Sequence, residues 1–245
     1  SPNTGANADG YTTTDLPNGH WYDVPATTHS IGADITHTFS PSWVNQVRYS
    51  FQQSRVLFQS GGQPNCTVNS PSQCDAYISP GSGILPYGYQ STFPQGRIVK
   101  VTQVQDNATW TRGHHSIAIG GEWSFQNSPN PFLPNFNGSF SSSNLGNLLG
   151  GSGTLNMADG NYTIHFTEPD SALYLQDDWK VSNDLTLNLG LRWEFFGQAV
   201  NLLHDETMKR EANAKTAFWD TSLPLAERTF AKTQSHYKNF EPRIG

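Results

Sequence analysis

Two pairs of adjacent titratable residues, Asp177–Asp178 and His114–His115, are the first places to look for catalysis or metal binding. Both pairs lie in or beside stretches with the strand period of two, in which neighbouring side chains point to opposite faces. Two carboxylates on opposite faces cannot share a proton, and two imidazoles on opposite faces cannot share a metal ion. We therefore expect no acid–base dyad and no metal site at these pairs.

Four charged residues stand singly on the polar sides of alternating stretches, at Arg48, Glu122, Arg192 and Glu194. Opposite charges on neighbouring strands stabilise a sheet when they pair, and polar residues on the inner face of a barrel line its lumen. We expect these four residues to be lumen-facing and to form structural pairs. A ligand site is the alternative.

No catalytic motif accompanies these residues. The sequence has no G-x-S-x-G elbow, no H-E-x-x-H pair, no P-loop and no EF-hand loop. The prediction is a protein that is not an enzyme, with no catalytic residue, no cofactor and no metal site.

The two cysteines, Cys66 and Cys74, lie close together in a loop rich in Asn, Pro, Ser and Gly. Such a pair is typical of a disulfide in an oxidising compartment. Half of a metal site is the competing interpretation, but no His and no second cysteine pair lies close by in the sequence. We expect a disulfide.

The clearest structural pattern is the stretch Ser171–Gly197, which reads as a long β-hairpin around a short polar turn. In its second half every other residue is large and apolar, and the residues between are polar or glycine. The apolar positions are Leu185, Leu187, Leu189, Leu191, Trp193 and Phe195.

Two further hairpins have the same build. The first joins Ile31–Phe39 to Trp43–Phe51, and the second joins Arg97–Thr111 to His115–Gln126. Residues 1–28 are polar and predict an arm or loop, and residues 29–245 predict a partial barrel with long loops at 53–96, 127–161 and 198–238. In the strand before the third hairpin we expect Pro169 to break or bulge the backbone, because proline cannot donate to the ladder.

Short and long connections alternate along the chain, which is typical of outer-membrane barrels. The fold class is therefore predicted as all-β, an antiparallel up-and-down meander of long amphipathic hairpins that forms part of a transmembrane β-barrel. Its outer face and aromatic girdles should carry the following residues: Trp43, Trp110, Trp123, Leu187, Leu189, Leu191, Trp193 and Phe195.

The composition agrees with this class. Of the 245 residues only 14% are charged and 12% are aromatic, whereas a soluble domain usually has about a quarter charged residues. The net charge of −6 argues against a nucleic-acid partner. The chain starts without Met or a signal-peptide pattern, so a mature or excised piece is expected.

Three segments resemble the barrel of TonB-dependent outer-membrane receptors: VTQVQDNATWTRGHHSIAIGGEW, YLQDDWK with LTLNLGLRWE, and the closing NFEPRIG. The closest subgroup is the Oar-like receptors, which carry a carboxypeptidase-regulatory-like domain. The resemblance implies a fragment of a barrel of about 22 strands, ligand capture and TonB-coupled uptake. The implied partners are outer-membrane lipid, the rest of the barrel and its plug, TonB, and a small-molecule, peptide or glycan ligand.

A second function class fits the same alternation. A soluble, secreted β-sheet protein that binds or hydrolyses glycans would also have amphipathic strands, with exposed aromatic rings stacking on sugars. The bacterial outer membrane is the expected location, and secretion is the alternative.

Overall fold

The computed structural model describes residues 22–60, 65–81 and 83–245. Long strands dominate these residues, and the helices are short. The strands are β1 (Tyr22–Asp23), β2 (Ala26–Ser40), β3 (Trp43–Ser60), β4 (Tyr77–Ser79), β5 (Gln95–Arg112), β6 (His115–Pro131), β7 (Ser139–Ser141), β8 (Thr154–Asn156), β9 (Thr163–Lys180), β10 (Thr186–Phe196) and β11 (Asn239–Ile244). The α-helices are α1 (Leu145–Leu149) and α2 (Asn201–Glu211), and single 3₁₀ turns lie at Pro71–Gln73 and Leu225–Glu227.

The long strands form one sheet in the order β2–β3–β5–β6–β9–β10–β11, and the short β1 also pairs with β3. Sequence neighbours that are joined by tight turns are therefore also neighbours in the sheet. A second, three-stranded sheet has the order β4–β7–β8, with β4 parallel to β7. The all-β, up-and-down antiparallel meander predicted from the alternation is confirmed.

Tight turns set the register of the hairpins. In the turn from β5 to β6, Arg112 pairs with His115, and Gly113 between them has a φ of +60°. Glycine adopts this left-handed backbone conformation without steric cost because it has no Cβ. From this turn the pairing continues to Lys100 and Asn127. The third hairpin is equally regular, from Thr186 opposite Lys180 to Phe196 opposite Asp170.

The strands run further into the expected loops than the alternation indicates. Strand β3 continues to Ser60, β5 begins at Gln95 and β6 ends at Pro131. The arm expected at residues 1–28 contains β1 and the start of β2, which begins at Ala26. Residues 1–21 are outside the described part of the chain. Alternation is a signal of one buried face, so it fades where a strand is polar on both faces.

The expectation that Pro169 breaks its strand is wrong, because β9 runs through it from Thr163 to Lys180. The partner strand β10 ends at Phe196, opposite Asp170, so Pro169 lies just beyond this ladder. The missing N–H therefore removes no hydrogen bond to β10. The next residue along the partner is Gly197, where a Cβ would come within 2.6 Å of the Pro169 ring. Glycine makes this close approach possible.

The chain divides into two compact units. Unit 1 comprises Ser1–His29, Ser54–Val99 and Ser128–His165, and unit 2 comprises Ser30–Gln53, Lys100–Asn127 and Phe166–Gly245. Unit 1 contains a small apolar core in which the Cys66–Cys74 disulfide packs with Tyr89. The predicted disulfide is thus present.

Candidate functional site

The cross-strand register gathers the large apolar side chains of unit 2 on one face of its strands, here called the apolar face. In the third hairpin Leu191 lies opposite Leu175, and Trp193 lies opposite Leu173. In the second hairpin Trp110 lies opposite Ile117. The alternation within each strand continues this face along its length.

The apolar face is exposed. Leu173 is 58% exposed, Ile35 is 67% exposed and Leu191 is 47% exposed. Among the described residues of unit 2, Ala172 is the one buried apolar side chain. A soluble sheet would be stabilised by burying such rows against another layer. The described strands of unit 2 therefore need an apolar surrounding from outside.

The opposite side of the same strands, the polar face, is joined by hydrogen bonds. On strands β2 and β3, Arg48 donates through Nε to Asp34 at 2.7 Å, and Gln46 donates to the same carboxylate at 2.9 Å. On β5 and β6, Glu122 accepts from Gln103 at 2.6 Å and from Gln105 at 2.9 Å. Arg48 and Glu122 thus each have a partner on a neighbouring strand.

Strand β10 adds a pair within one strand. Arg192 donates through Nε to Glu194 at 2.5 Å, two residues along the same face. The structure therefore brings Arg192 and Glu194 together, and it places Glu122 and Arg48 in separate pairs.

A recess of about 160 Å³ opens on the polar face. Its polar lining comes from Gln105, Asn107, Glu122, Tyr174 and Arg192. The Tyr174 hydroxyl donates to the side-chain oxygen of Asn107 at 2.8 Å, so the ring crosses over β6. These groups can donate and accept hydrogen bonds and can hold a small polar solute or water.

The segment from 198 to 238 is organised around one buried carboxylate, that of Glu211 at the end of α2. Its side chain is fully buried and accepts hydrogen bonds from the backbone N–H groups of Phe218 at 3.1 Å and Trp219 at 3.3 Å. Arg210 at 2.7 Å and Arg228 at 3.3 Å complete the shell. We call this arrangement the Glu211 clamp.

Two opposing effects set the pKa of Glu211. Burial raises it, and the donors from the Phe218 backbone, the Arg210 side chain and the Trp219 backbone lower it. The donors outweigh burial, so the pKa lies below its ordinary value. The carboxylate is ionised at neutral pH and fixes the backbone of two aromatic residues whose rings remain exposed, Phe218 at 72% and Trp219 at 53%.

The long connections of unit 1 are also tied down. Strands β4, β7 and β8 join them in one small sheet, and the Tyr162 hydroxyl donates to the carbonyl oxygen of Pro94. Burial raises the pKa of Tyr162. The strand pairing and this hydrogen bond fix the shape of the surface that the loops form.

All the residues predicted for the outer face lie on the apolar face: Trp43, Trp110, Trp123, Leu187, Leu189, Leu191, Trp193 and Phe195. Their contact with lipid stays a prediction. Trp193 also donates through its indole N–H to the carbonyl of Tyr237 at 2.8 Å, which ties the segment after α2 to β10.

Sequence reasoning missed two interactions. His115 lies 2.7 Å from the carboxylate of Asp177, which is 62 residues away. Both residues fall among the apolar positions of their strands, and this was a signal that each needed a partner. The Glu211 clamp had no comparable signal, because no repeat or motif marks a single glutamate at a helix end.

The family model described as "Outer membrane beta barrel domain" matches residues 3–245. The chain belongs to this family. As an outer membrane β-barrel domain, the chain is associated with the bacterial outer membrane. No curated protein and no solved structure matches the chain.

None of the helices among the described residues is long and apolar enough to span a membrane. Within residues 22–60, 65–81 and 83–245, His, Cys, Asp and Glu side chains form no group of three that could hold a metal ion.

Proposed function

We propose that this domain is part of the barrel of an outer-membrane receptor, which captures a ligand with its long loops and imports it in a TonB-coupled step. The observation that supports the membrane-spanning part is the exposed apolar face. The TonB-coupled part is supported by the resemblance of the second and third hairpins to TonB-dependent receptors.

The height of the apolar face fits a bilayer. The row from Leu185 to Phe195 covers ten residue steps, or about 34 Å along the strand. A strand tilt of about 40° reduces this to about 25 Å along the membrane normal, which is the height of the apolar band of outer-membrane barrels. We assign this face to lipid and the polar face to the lumen.

This assignment gives the charged residues of the polar face a structural role. Arg48, Glu122, Arg192 and Glu194 each have a hydrogen-bonding partner on the same face. Paired charges reduce the cost of taking each charge out of water. We therefore infer that they keep the lumen polar and the sheet in register, and that they are not the ligand site.

The edges of the sheet point to further strands. Among the described residues the sheet ends with β2 and β1 on one side and β11 on the other. An unpaired strand edge is not tolerated in the hydrocarbon region. We propose that the rest of the barrel in the full-length protein pairs with these edges and that a plug fills the wider lumen.

The 198–238 segment is the best-supported candidate for ligand capture. Long connections lie on the extracellular side of such barrels. The Glu211 clamp holds the backbone of Phe218 and Trp219 while their rings stay exposed. Exposed aromatic rings on a fixed backbone bind with little loss of conformational entropy. A small-molecule, peptide or glycan ligand is compatible with this surface.

A pull-down with the purified periplasmic domain of TonB tests the proposal. The full-length protein that contains this chain should retain that domain in detergent solution, and an outer-membrane porin purified in the same detergent should not. Retention at the level of the porin would contradict the TonB-coupled function and would leave the outer-membrane location untouched.

A further inference from the structure

Aromatic and basic side chains alternate across the apolar face of unit 2 where the tight turns lie. The turns of neighbouring hairpins are joined there, because Thr111 donates to the Ser42 carbonyl and Lys180 donates to the His114 carbonyl. The side chains concerned come from five adjacent strands, β2, β3, β5, β6 and β9, and we call them the turn-side belt. Its members are His37, Phe39, Trp43, Trp110, Arg112, His115 and Trp179.

The rings of the belt pack against one another. Phe39 lies between His37 at 4.4 Å and Trp43 at 4.9 Å, measured between ring centroids. The imidazole of His115 stacks on the indole of Trp179 at 5.3 Å with an interplanar angle of 16°. The belt is therefore an ordered surface at the level where the apolar rows begin.

Arg112 is the cation of this belt that makes no ion pair with an acidic side chain in the described part of the chain. Its guanidinium lies 5.6 Å from the centroid of the Trp110 ring, and in the register it stands opposite His115. The ion pairs among the described residues do not include Arg112. The nearby Asp177 is already paired with His115 at 2.7 Å.

The position of Arg112 on the apolar face is unusual for a charged group. Its neighbour on the same face in β5 is Trp110, and the apolar rows of β5 and β6 continue from there. An arginine at this level keeps its charge in the interfacial region while its aliphatic part lies along apolar surface. A guanidinium there needs an anion that comes with apolar chains attached.

We propose that Arg112, supported by Trp110 and His115, binds the phosphate of an anionic phospholipid in the leaflet next to the tight turns. The planar fork of a guanidinium matches two phosphate oxygens. The acyl chains of the same lipid would cover the apolar rows that begin beside it. The inference rests on the lipid-facing assignment of the apolar face, and it is independent of TonB coupling.

A phospholipid fits better than a soluble anion because the site has two chemically different parts, the basic and aromatic turn-side belt and the apolar rows beside it. Indole rings prefer the membrane interface, and basic groups near a membrane surface attract anionic headgroups. Free phosphate would satisfy Arg112 and leave the rows beyond it uncovered.

Native mass spectrometry of the full-length protein tests this site. The protein is reconstituted in nanodiscs of phosphatidylcholine and phosphatidylglycerol. The amounts of the two lipids that stay bound after the protein is released from the nanodisc are then compared. Wild type should retain phosphatidylglycerol preferentially, and Arg112→Gln should lower that preference about fivefold, which is the effect of one basic residue near a membrane surface. Arg112→Lys should keep part of it.

Lys180→Gln is the matched control, because Lys180 lies at the same end of the strands and adjoins Trp179 on the opposite, polar face. It should leave the preference unchanged. An equal loss in Lys180→Gln, or no loss in a folded Arg112→Gln protein, would overturn the proposal. Heat-modifiable migration on a gel reports whether each variant is folded. If Arg112→Gln does not fold, Arg112→Lys and His115→Gln are measured in its place. An unchanged preference for phosphatidylglycerol in both of these variants would overturn the proposal.

A second measurement, of tryptophan quenching, separates the Arg112 site from the lipid-facing assignment on which it rests. Phosphatidylcholine with brominated acyl chains should quench the tryptophan fluorescence of the wild-type protein. Quenching without phosphatidylglycerol preference would reject the Arg112 site alone. Absence of quenching would reject the lipid-facing assignment and the site with it.

Discussion

Gly120 leaves room on the polar face for the ring of Tyr174. A Cβ at this position would lie 2.5 Å from Tyr174 Cε1 and 2.6 Å from the Asn107 side-chain oxygen. Both groups belong to the hydrogen bond that crosses β6. The absence of a side chain at Gly120 therefore shapes the recess.

Gly120→Ala should lower the free energy of unfolding of the full-length protein by about 1–3 kcal/mol, the usual cost of overpacking. Urea unfolding followed by tryptophan fluorescence measures the change. Gly190→Ala is the control, since its Cβ would meet its nearest atom at 3.6 Å. Equal stability of the two variants would show that Tyr174 moves aside without cost.

Glu211 is as important for the 198–238 segment as Gly120 is for the recess. Glu211→Gln keeps the size of the side chain and removes the charge that two arginines and two backbone N–H groups contact. Hydrogen exchange at Phe218 and Trp219 should become faster. Glu206→Gln, which affects an exposed pair with Lys209, should leave that exchange as in wild type. Unchanged exchange in Glu211→Gln would show that the charge of Glu211 does not hold the backbone of Phe218 and Trp219.

The clamp also predicts a pH dependence. Because the folded pKa of Glu211 lies below its ordinary value, the carboxylate stabilises the segment fully above the ordinary carboxyl pKa of about 4.3. This contribution is lost as the pH falls through the folded value. Exchange protection at Phe218, corrected for the intrinsic rate, should decrease on acidification in wild type and stay nearly constant in Glu211→Gln. An equal decrease in both proteins would assign the effect to another group.

Among the elements, the hairpins were predictable from the sequence and the contents of the long loops were not. A period of two is a local pattern, so Leu187 to Phe195 shows which side chains share a face. The three-residue strands β4, β7 and β8 are too short for such a pattern, and β4 forms only by pairing with β7, which lies 62 residues further along the chain. The expected break at Pro169 is absent because the ladder between β9 and β10 ends at Asp170, so the proline removes no hydrogen bond to β10.

The disulfide segment is the element whose stability depends most on one covalent bond. Cys66 and Cys74 close a loop with a sequence separation of 8, for which the chain-entropy model gives about 2–3 kcal/mol. Replacing both cysteines by serine should reduce exchange protection in residues 65–94. Ser72→Ala, a change at an exposed position inside the same loop, should not. Wild-type protection in the double variant would mean that packing around Tyr89 is sufficient.

For the molecule as a whole, the low charge and the exposed apolar face have one explanation. Only 14% of the residues are charged, and the described part of unit 2 buries hardly any apolar side chain. Lipid takes the place of a second protein layer in an outer-membrane barrel. The same chain in water would expose an apolar surface that favours aggregation.

Spin-label accessibility along β10 tests the lipid-facing assignment directly. Single cysteines are introduced at consecutive positions from Thr186 to Trp193 in the full-length protein, labelled and reconstituted in vesicles. The native cysteines are joined in a disulfide and do not react. Labels at Leu187, Leu189, Leu191 and Trp193 should collide mainly with oxygen dissolved in the bilayer, and labels at Thr186, Asn188 and Arg192 with a water-soluble nickel complex. Accessibility without a period of two, or nickel accessibility at Leu189 and Leu191, would contradict the assignment.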